Sequence, residues 1–207
     1  MQPTTTENTS GTGARERILD AASELFYRRG IRAVGVDMVV DHAGVAKASL
    51  YHHFRTKDEL AAAVLRRTDE RWRRWMLEAV EASGSNPDRR VLAVFDALRT
   101  WFASDEFRGC GFINAAAEFP AREHPVRIAA SEHKHAVLAD LGELVAQAGV
   151  RDPRKLARRL FLLMEGAMVT AYVEGATWPA TDAKAAATAL LRDASRTASG
   201  RRGAATK

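Results

Sequence analysis

The stretch between residues 35 and 60 carries side chains whose chemistry suits binding to a nucleic acid. Phosphate oxygens are bound in proteins by ammonium and hydroxyl groups, which this stretch offers at Lys47, Tyr51 and Lys57. Base edges are read by small polar groups and ring nitrogens, for which the candidates are Ser49 and His52, and Ala48 leaves room for a close approach. The alternative is an ordinary solvated helix face, which such residues form most often when no other signal accompanies them.

A second set of candidates suits binding of a small organic ligand. Aromatic residues and methionines recur at helical spacing after residue 90, and the predicted apolar lining is Phe95, Trp101, Phe112, Ile113, Met164 and Met168. Three polar residues in otherwise apolar surroundings would orient that ligand, namely Asn114, Glu118 and Glu165. Two alternatives stay open, because rings at this spacing more often form a core and Glu165 can simply be paired at an interface.

Redox and metal chemistry have weaker support. Cys110 would be a redox sensor if Arg108 approached its thiol, but a lone cysteine between glycines is more often a small core residue, which is the interpretation we favour. Three histidines at positions 124, 133 and 135 lie near the glutamates 118, 123 and 132 and invite a metal interpretation. His133 and His135 would point about 200° apart on a helix, so we predict no metal site.

Catalytic motifs are missing from the sequence. It contains no G-x-S-x-G, no P-loop, no G-x-G-x-x-G and no Cys-x-x-Cys. We therefore predict no catalytic residues, no cofactor and no enzymatic activity.

Helical periodicity predicts how the first set of candidates is positioned. A short helix is predicted after Gly35, with an apolar side formed by three valines. Gly44 ends that helix because glycine adopts the left-handed conformation without a Cβ clash. A second helix follows from Ala46 to Phe54, with Leu50 and Phe54 four residues apart on its inner face. This is the arrangement of a helix-turn-helix, whose second helix enters a major groove.

The rest of the chain also has a helical pattern. One helix begins at Arg15 and ends at Gly30, and a long one begins near Thr56 or Lys57 and continues to Ser83, about 37 Å at 1.5 Å per residue. Five more are predicted to begin near Asn86, Phe112, Pro125, Asp152 and Thr181. The predicted fold class is therefore all-α with about nine helices. A three-helix N-terminal helix-turn-helix DNA-binding domain is predicted to precede a larger helical domain.

The run AGVAKASLYHHFRTKDEL, residues 43–60, resembles the signature of the TetR family of dimeric, ligand-responsive transcriptional regulators. The family pattern is roughly A-G-V-[SA]-K-[GA]-[ST]-L-Y-x-[HY]-F-x-[SN]-K-[ED]-x-L, and Thr56 replaces the usual small hydroxyl or amide. The resemblance covers residues 14–62, and beyond them it is architectural only.

The resemblance changes how the first candidates are interpreted. It favours DNA contacts over a solvated face for the second helix of the helix-turn-helix. Backbone N–H groups after Gly35 would bind phosphate, and His53 stands where the family often has an aromatic residue that touches phosphate. In this family, a ligand in the C-terminal core changes the separation of two DNA-binding units, and the resemblance implies the same here.

Composition adds weaker constraints. The chain has 207 residues, 46% hydrophobic and 28% charged, and its formal net charge of +5 suits a polyanionic partner. Residues 1–60, however, hold eight Lys and Arg against eight Asp and Glu, so DNA binding must come from the placement of charges. A single cysteine, no export signal and no apolar run near the roughly 20 residues of a membrane span predict a cytoplasmic protein without a membrane contact.

These patterns predict the organisation of the chain. Residues 1–13 are expected to be a disordered tail, 14–56 the DNA-binding domain, 57–195 the effector-binding and dimerisation domain, and 196–207 a flexible basic tail. The predicted function is a repressor that binds a pseudo-palindromic double-stranded DNA operator as a homodimer and is released by a small, mostly apolar or aromatic effector. The alternative is a constitutive DNA-binding protein or an activator without an effector.

Dimerisation is expected through the last two helices. Their small residues would allow two copies to approach closely, and these are Gly166, Ala167, Ala171, Ala185, Ala186 and Ala189. Larger apolar residues beside them would complete the interface, namely Leu160, Leu163 and Leu190.

Overall fold

The computed structural model describes residues 13–202, with side chains through residue 195. This part of the chain contains nine α-helices and no strand, which confirms the predicted fold class. The helices are α1 (Ala14–Arg29), α2 (Val36–Ala43), α3 (Lys47–His53), α4 (Lys57–Ala82), α5 (Pro87–Phe102), α6 (Gly111–Glu118), α7 (Pro125–Gln147), α8 (Pro153–Glu174) and α9 (Trp178–Arg202).

Only part of each predicted tail lies within the residues that the structure describes. Residues 1–12 and 203–207 lie outside them, and Gly13 is the residue that precedes α1. The last helix was expected from Thr181 to about Ser195, whereas α9 begins at Trp178 and continues to Arg202. Pro179 permits the earlier start because a proline in the first turn of a helix sacrifices no intrahelical hydrogen bond.

The helix-turn-helix forms for the local reasons that the sequence gives. Gly44 adopts φ 60° and ψ 43°, and its N–H and that of Val45 donate to carbonyl oxygens of the last turn of α2. The turn therefore closes as predicted. Leu50 is fully buried and Phe54 nearly so, and both lie on the inner face of α3 and its C-terminal end. α3 is one residue shorter at each end than the predicted Ala46–Phe54.

Helix α4 begins with a reciprocal capping arrangement. The N–H of Glu59 donates to Thr56 Oγ1 at 3.1 Å, and the Glu59 carboxylate accepts the N–H of Arg55 at 2.9 Å. With 26 residues, α4 is about 39 Å long.

The described residues form two compact units. Among the described residues, the first contains 13–72 together with Cys110–Lys134, and the second contains Arg73–Gly109 together with 135–202. This division differs from the single boundary expected after residue 56. The first unit includes all of α6 and the beginning of α7 in addition to α1, α2 and α3.

The second unit is built mainly by α5, α8 and α9. Asn86 and Asp152 cap α5 and α8 by accepting the N–H groups of Arg89 and Lys155 at 2.9 and 3.0 Å, and a proline occupies the next position in both cases. The fully buried residues include Val91, Phe95, Leu98, Leu160 and Met164. No helix in the described part of the chain is long and apolar enough to cross a membrane.

Candidate nucleic-acid interface

The two faces of α3 have opposite surroundings. Leu50 has no exposed surface, while Lys47, Ala48, Tyr51 and His52 are all exposed, Tyr51 to 46%. Ser49 and His53 are half-buried at the edges of the exposed face. The predicted DNA contacts on α3 therefore lie together on the side of the helix that faces solvent.

The ammonium group of Lys47 connects the starts of α2 and α3. Its Nζ lies 2.7 Å from Oδ1 of Asp37, and both side chains are largely exposed. The hydrogen bond and the negative charge of Asp37 raise the pKa of Lys47 above its ordinary value. The group is therefore charged at neutral pH and, being exposed, can exchange Asp37 for a phosphate.

Aromatic rings and histidines surround the C-terminal end of α3. The rings of His52 and His53 meet edge to face with centroids 5.1 Å apart, and His53 lies 6.4 Å from the ring of Phe54. The guanidinium group of Arg15, at the start of α1, lies 5.5 Å from the centre of the Phe54 ring. A cation is thus held at the C-terminal end of α3, over a ring that is nearly buried.

Gly35 precedes α2 with ordinary extended backbone angles, φ −80° and ψ 158°. A Cβ atom added there would meet nothing within 4 Å. Glycine is therefore not required by the fold at this position, and any contribution to DNA binding comes from backbone N–H groups of the first turn of α2.

Lys57, also predicted to contact phosphate, lies against the backbone of the segment that precedes α2. Its Nζ donates to the carbonyl oxygens of Ile31 at 2.9 Å and Val34 at 3.0 Å, with the carbonyl oxygen of Arg32 at 3.5 Å. These carbonyls belong to the α1–α2 loop, residues 30–35. In this structure the ammonium group donates hydrogen bonds to backbone oxygens. These carbonyl groups lie in a loop, where no helix or strand supplies them with a donor.

Glu118, predicted to orient an effector, binds the same loop. Its Oε1 accepts the N–H of Ile31 at 2.9 Å, and its Oε2 accepts the N–H of Arg32 at 2.6 Å. This contact could not be inferred from the sequence, because it joins residues 87 positions apart. Helical periodicity carries no information at that separation.

The nine predicted effector residues do not belong to one unit. Phe112, Ile113, Asn114 and Glu118 lie in the first unit, and the second contains Phe95, Trp101, Met164, Glu165 and Met168. The ring of Phe112 stacks on that of His133 with centroids 3.5 Å apart and planes 8° apart. Phe95, Trp101, Met164 and Met168 are buried, and Glu165 is half-buried.

An aromatic cluster in the second unit was missed by the sequence analysis, apart from Trp101. Ring centroids lie 5.0 Å apart between Trp101 and Phe107, 4.9 Å between Phe102 and Phe107, and 6.4 Å between Trp75 and Trp101. Tyr172 of α8 joins the cluster at 6.3 Å from Phe107, and it is 49% exposed. The five rings come from α4, α5, the following segment and α8, so no single helix could reveal them.

The other candidates of the sequence have structural partners. The Nζ of Lys134 lies 3.3 Å from the buried Sγ of Cys110, whereas Arg108 donates to the carbonyl oxygens of Asp105 and Phe107. His133 is 4% exposed, and its Nδ1 lies 2.6 Å from Oδ1 of Asp69. Among the described residues, no group of three or more histidines, cysteines and carboxylates could hold a metal ion.

The residues predicted to form the dimer contact divide into a buried set and an exposed set on α8 and α9. Leu160, Ala167 and Ala171 are buried within the unit and therefore belong to its core. The outer face of α8 instead exposes large apolar residues, Leu162 to 69%, Val169 to 47% and Val173 to 73%. Smaller exposed residues lie on the same two helices, namely Gly166, Ala185, Ala186 and Ala189.

Two family models match most of the described chain. Residues 18–64 match the model described as bacterial regulatory proteins, tetR family, and residues 87–187 match the model described as tetracyclin repressor-like, C-terminal domain. The first match contains α2, α3 and most of α1, and the second contains α5 to α8.

Solved structures and curated relatives agree with these matches. SCO4454, a TetR-family transcriptional regulator from Streptomyces coelicolor, is 36% identical over 88% of this chain and 96% of that chain, with a TM-score of 0.80. The transcriptional repressor KstR2 of Rhodococcus jostii (strain RHA1) is 43% identical over 67 residues, 32% of this chain and 33% of that protein. The transcriptional activator FasR of Mycolicibacterium smegmatis is 41% identical over 80 residues, 39% of this chain and 36% of that protein. The chain thus spans about a third of the length of these two relatives.

Proposed function

The chain belongs to the TetR family of bacterial transcriptional regulators, and on this premise we propose that it is a dimeric repressor released from its operator by a small effector. The observation that carries the proposal is the exposed face of α3. Lys47, Tyr51 and His52 share this face, while Leu50 fixes the opposite one in the core. Lys47 and Tyr51 bind phosphates, and Ser49 and His52 read base edges in the major groove.

The homodimer forms through the outer face of α8 together with α9. Leu162, Gly166, Val169 and Val173 follow one another at intervals of four, three and four residues, which places them on one stripe of the helix. Exposed apolar stripes of this kind mark protein–protein contacts. A C2 dimer presents two copies of α3 to an operator whose half-sites lie about 34–36 Å apart, one helical turn, or a multiple of that spacing.

The effector is a mostly apolar or aromatic organic molecule. The aromatic cluster of the second unit supports this class, because each of its five rings lies near at least one other and Tyr172 is half exposed. Rings offer apolar area and stacking faces to a flat ligand. Trp101 lies at the centre of the cluster and serves as a fluorescence reporter.

An activator is the second candidate function. It is favoured by the match to FasR, whose name describes a transcriptional activator. The two candidates share the DNA contacts and differ in the effect of the bound protein on transcription. A reporter gene placed behind the selected operator separates them, because a repressor lowers its expression and an activator raises it.

The experiment begins with selection of DNA by the full chain from a randomised library. We expect an inverted repeat, and we expect His52→Ala to change the preference at one position per half-site by about 1–3 kcal/mol. An unchanged preference profile in His52→Ala would show that His52 does not read a base.

Dimerisation and effector release need separate measurements. Sedimentation should give a dimer for the wild-type chain and a monomer for Val169→Asp, since an unpaired charge in an apolar interface is strongly disfavoured. Aromatic and lipophilic compounds that quench Trp101, kept as the only tryptophan, should release the selected duplex. Compounds that bind without releasing DNA would favour the constitutive alternative.

A further inference from the structure

The α1–α2 loop is held from two sides by opposite charges. Both carboxylate oxygens of Glu118 accept N–H groups, those of Ile31 and Arg32. The ammonium group of Lys57 donates to the carbonyl oxygens of Ile31 and Val34. The peptide groups on either side of Ile31 are therefore bound from α6 on one side and from α4 on the other.

The backbone of the loop is shaped to admit the carboxylate. Gly30 has φ 85° and ψ 152°, a conformation that is essentially confined to glycine. A Cβ atom at Gly30 would lie 3.1 Å from Oε1 of Glu118. Hydrogen bonds to an ionised carboxylate are shorter and stronger than those between neutral groups. The loop thus gains its fixed conformation from a residue outside the helix-turn-helix.

The residues that follow Glu118 attach the same end of α6 to two further points. The guanidinium group of Arg32 lies 5.1 Å from the centre of the Phe119 ring. That ring stacks on His124 with centroids 4.4 Å apart, and Nε2 of His124 lies 3.1 Å from Oδ2 of Asp58 in the first turn of α4. The end of α6 therefore contacts both the loop before α2 and the start of α4.

We infer that Glu118 is a positioning residue for DNA recognition. The α1–α2 loop leads directly into α2, and α2 packs with α3, so fixing the loop fixes the orientation in which α3 meets a major groove. Glu118 does this without touching DNA. The inference rests on the proposed function, because it assigns a role within operator binding.

The first test uses the duplex that the wild-type chain selects from a randomised library. Glu118→Gln keeps the shape of the side chain but replaces one acceptor oxygen by an amide NH2 group, so at least one loop N–H loses its partner. We expect operator affinity to fall about tenfold, the effect of losing one charge-assisted hydrogen bond. The salt dependence of binding should stay unchanged, since no phosphate contact is removed.

Glu123→Gln is the matched control. Glu123 is exposed in the segment between α6 and α7, and its substitution removes the same charge. Removing a negative charge from a DNA-binding protein favours binding by simple electrostatics, so Glu123→Gln should bind as tightly as the wild type or slightly more tightly. The expected weakening in Glu118→Gln has the opposite sign. Equal affinities in the two variants would overturn the inference.

A spectroscopic test is independent of DNA. In an NMR spectrum of the wild-type chain, the amide protons of Ile31 and Arg32 should resonate downfield. They should also exchange with solvent more slowly than the amide proton of Ala33. Glu118→Gln should remove the downfield shift. This wild-type measurement holds even if the variant fails to fold. Amides of Ile31 and Arg32 that behave like that of Ala33 would overturn the inference. A wild-type chain that selects no DNA but shows the shifted amides would instead contradict the proposed function alone.

Discussion

Helix α3 and the α1–α2 loop lie close together in the sequence, yet their charged partners come from very different distances along the chain. On α3, Lys47 is exposed and pairs with Asp37, ten residues away. On the loop, the two charges are contributed by Lys57 and Glu118, the second from 87 residues away. Two lysines with the same predicted role thus have different surroundings. Residue type therefore predicts which contacts a group can make, and the fold selects among them.

The largest expected effect distinguishes the inner face of α3 from its outer face. Leu50→Ala should lower the free energy of unfolding by about 2–5 kcal/mol, because the side chain is fully buried and its removal leaves a cavity. Chemical denaturation measures this loss. Ala48→Ser, on the exposed face, is the control and should change stability by less than about 0.5 kcal/mol. A loss under 1 kcal/mol in Leu50→Ala would mean that α3 is not anchored by its inner face.

The next effect tests how far the α1–α2 loop depends on glycine. Gly30→Ala should destabilise the chain by about 1–3 kcal/mol, because alanine rarely adopts its conformation and the new Cβ atom would press on Glu118. Gly35→Ala is the matched control at the other end of the same loop. It has ordinary backbone angles and open space, so thermal unfolding should detect little change. Equal losses in both variants would show that the carboxylate contact does not shape the loop.

A smaller effect on the free energy of unfolding should distinguish Lys57 from Lys47. Lys57→Met should lower the free energy of unfolding by about 1–2 kcal/mol, because the loop carbonyls lose a charged donor. Its slope of log affinity against log salt concentration should match that of the wild type. A shallower slope would show that Lys57 contacts a phosphate, as the sequence predicts.

The smallest effect on stability is expected at Lys47, and it appears in DNA binding instead. Lys47→Met should leave unfolding almost unchanged, since the pair with Asp37 is exposed. The salt slope should become shallower by about one, as for the loss of one phosphate contact. A Lys47→Met variant with the wild-type slope would remove this lysine from the set of phosphate ligands.

The helix-turn-helix was predictable because its determinants are local. Gly44 ends α2 by its own backbone angles, Thr56 caps α4 three residues before Glu59, and Leu50 and Phe54 share a face because they are four residues apart. Each of these relations lies within a single turn of chain. The family signature lies in the same stretch, so the exposed face of α3 was also identified from the sequence.

The sequence could not reveal which rings of the second unit meet or which side of α8 is exposed. Phe107 and Tyr172 lie 65 positions apart and meet only in the folded unit, so no periodic pattern connects them. On α8 the sequence contains apolar residues on nearly every side. Spacing alone could not decide that Leu160 faces the core while Leu162 faces solvent.

The all-α fold class, the ends of most helices and the face of α3 that meets solvent were predictable from the sequence, because caps, turns and periodicity act between residues one to four positions apart. The partners of Glu118 and Lys57, in contrast, depend on the tertiary structure. Glu118 and Lys57 have chemistry that suits an effector or a phosphate equally well, and they bind the α1–α2 loop because the fold places unsatisfied backbone groups within reach. An ionised group takes the nearest donors or acceptors that need a partner, and their position is set by contacts between distant parts of the chain.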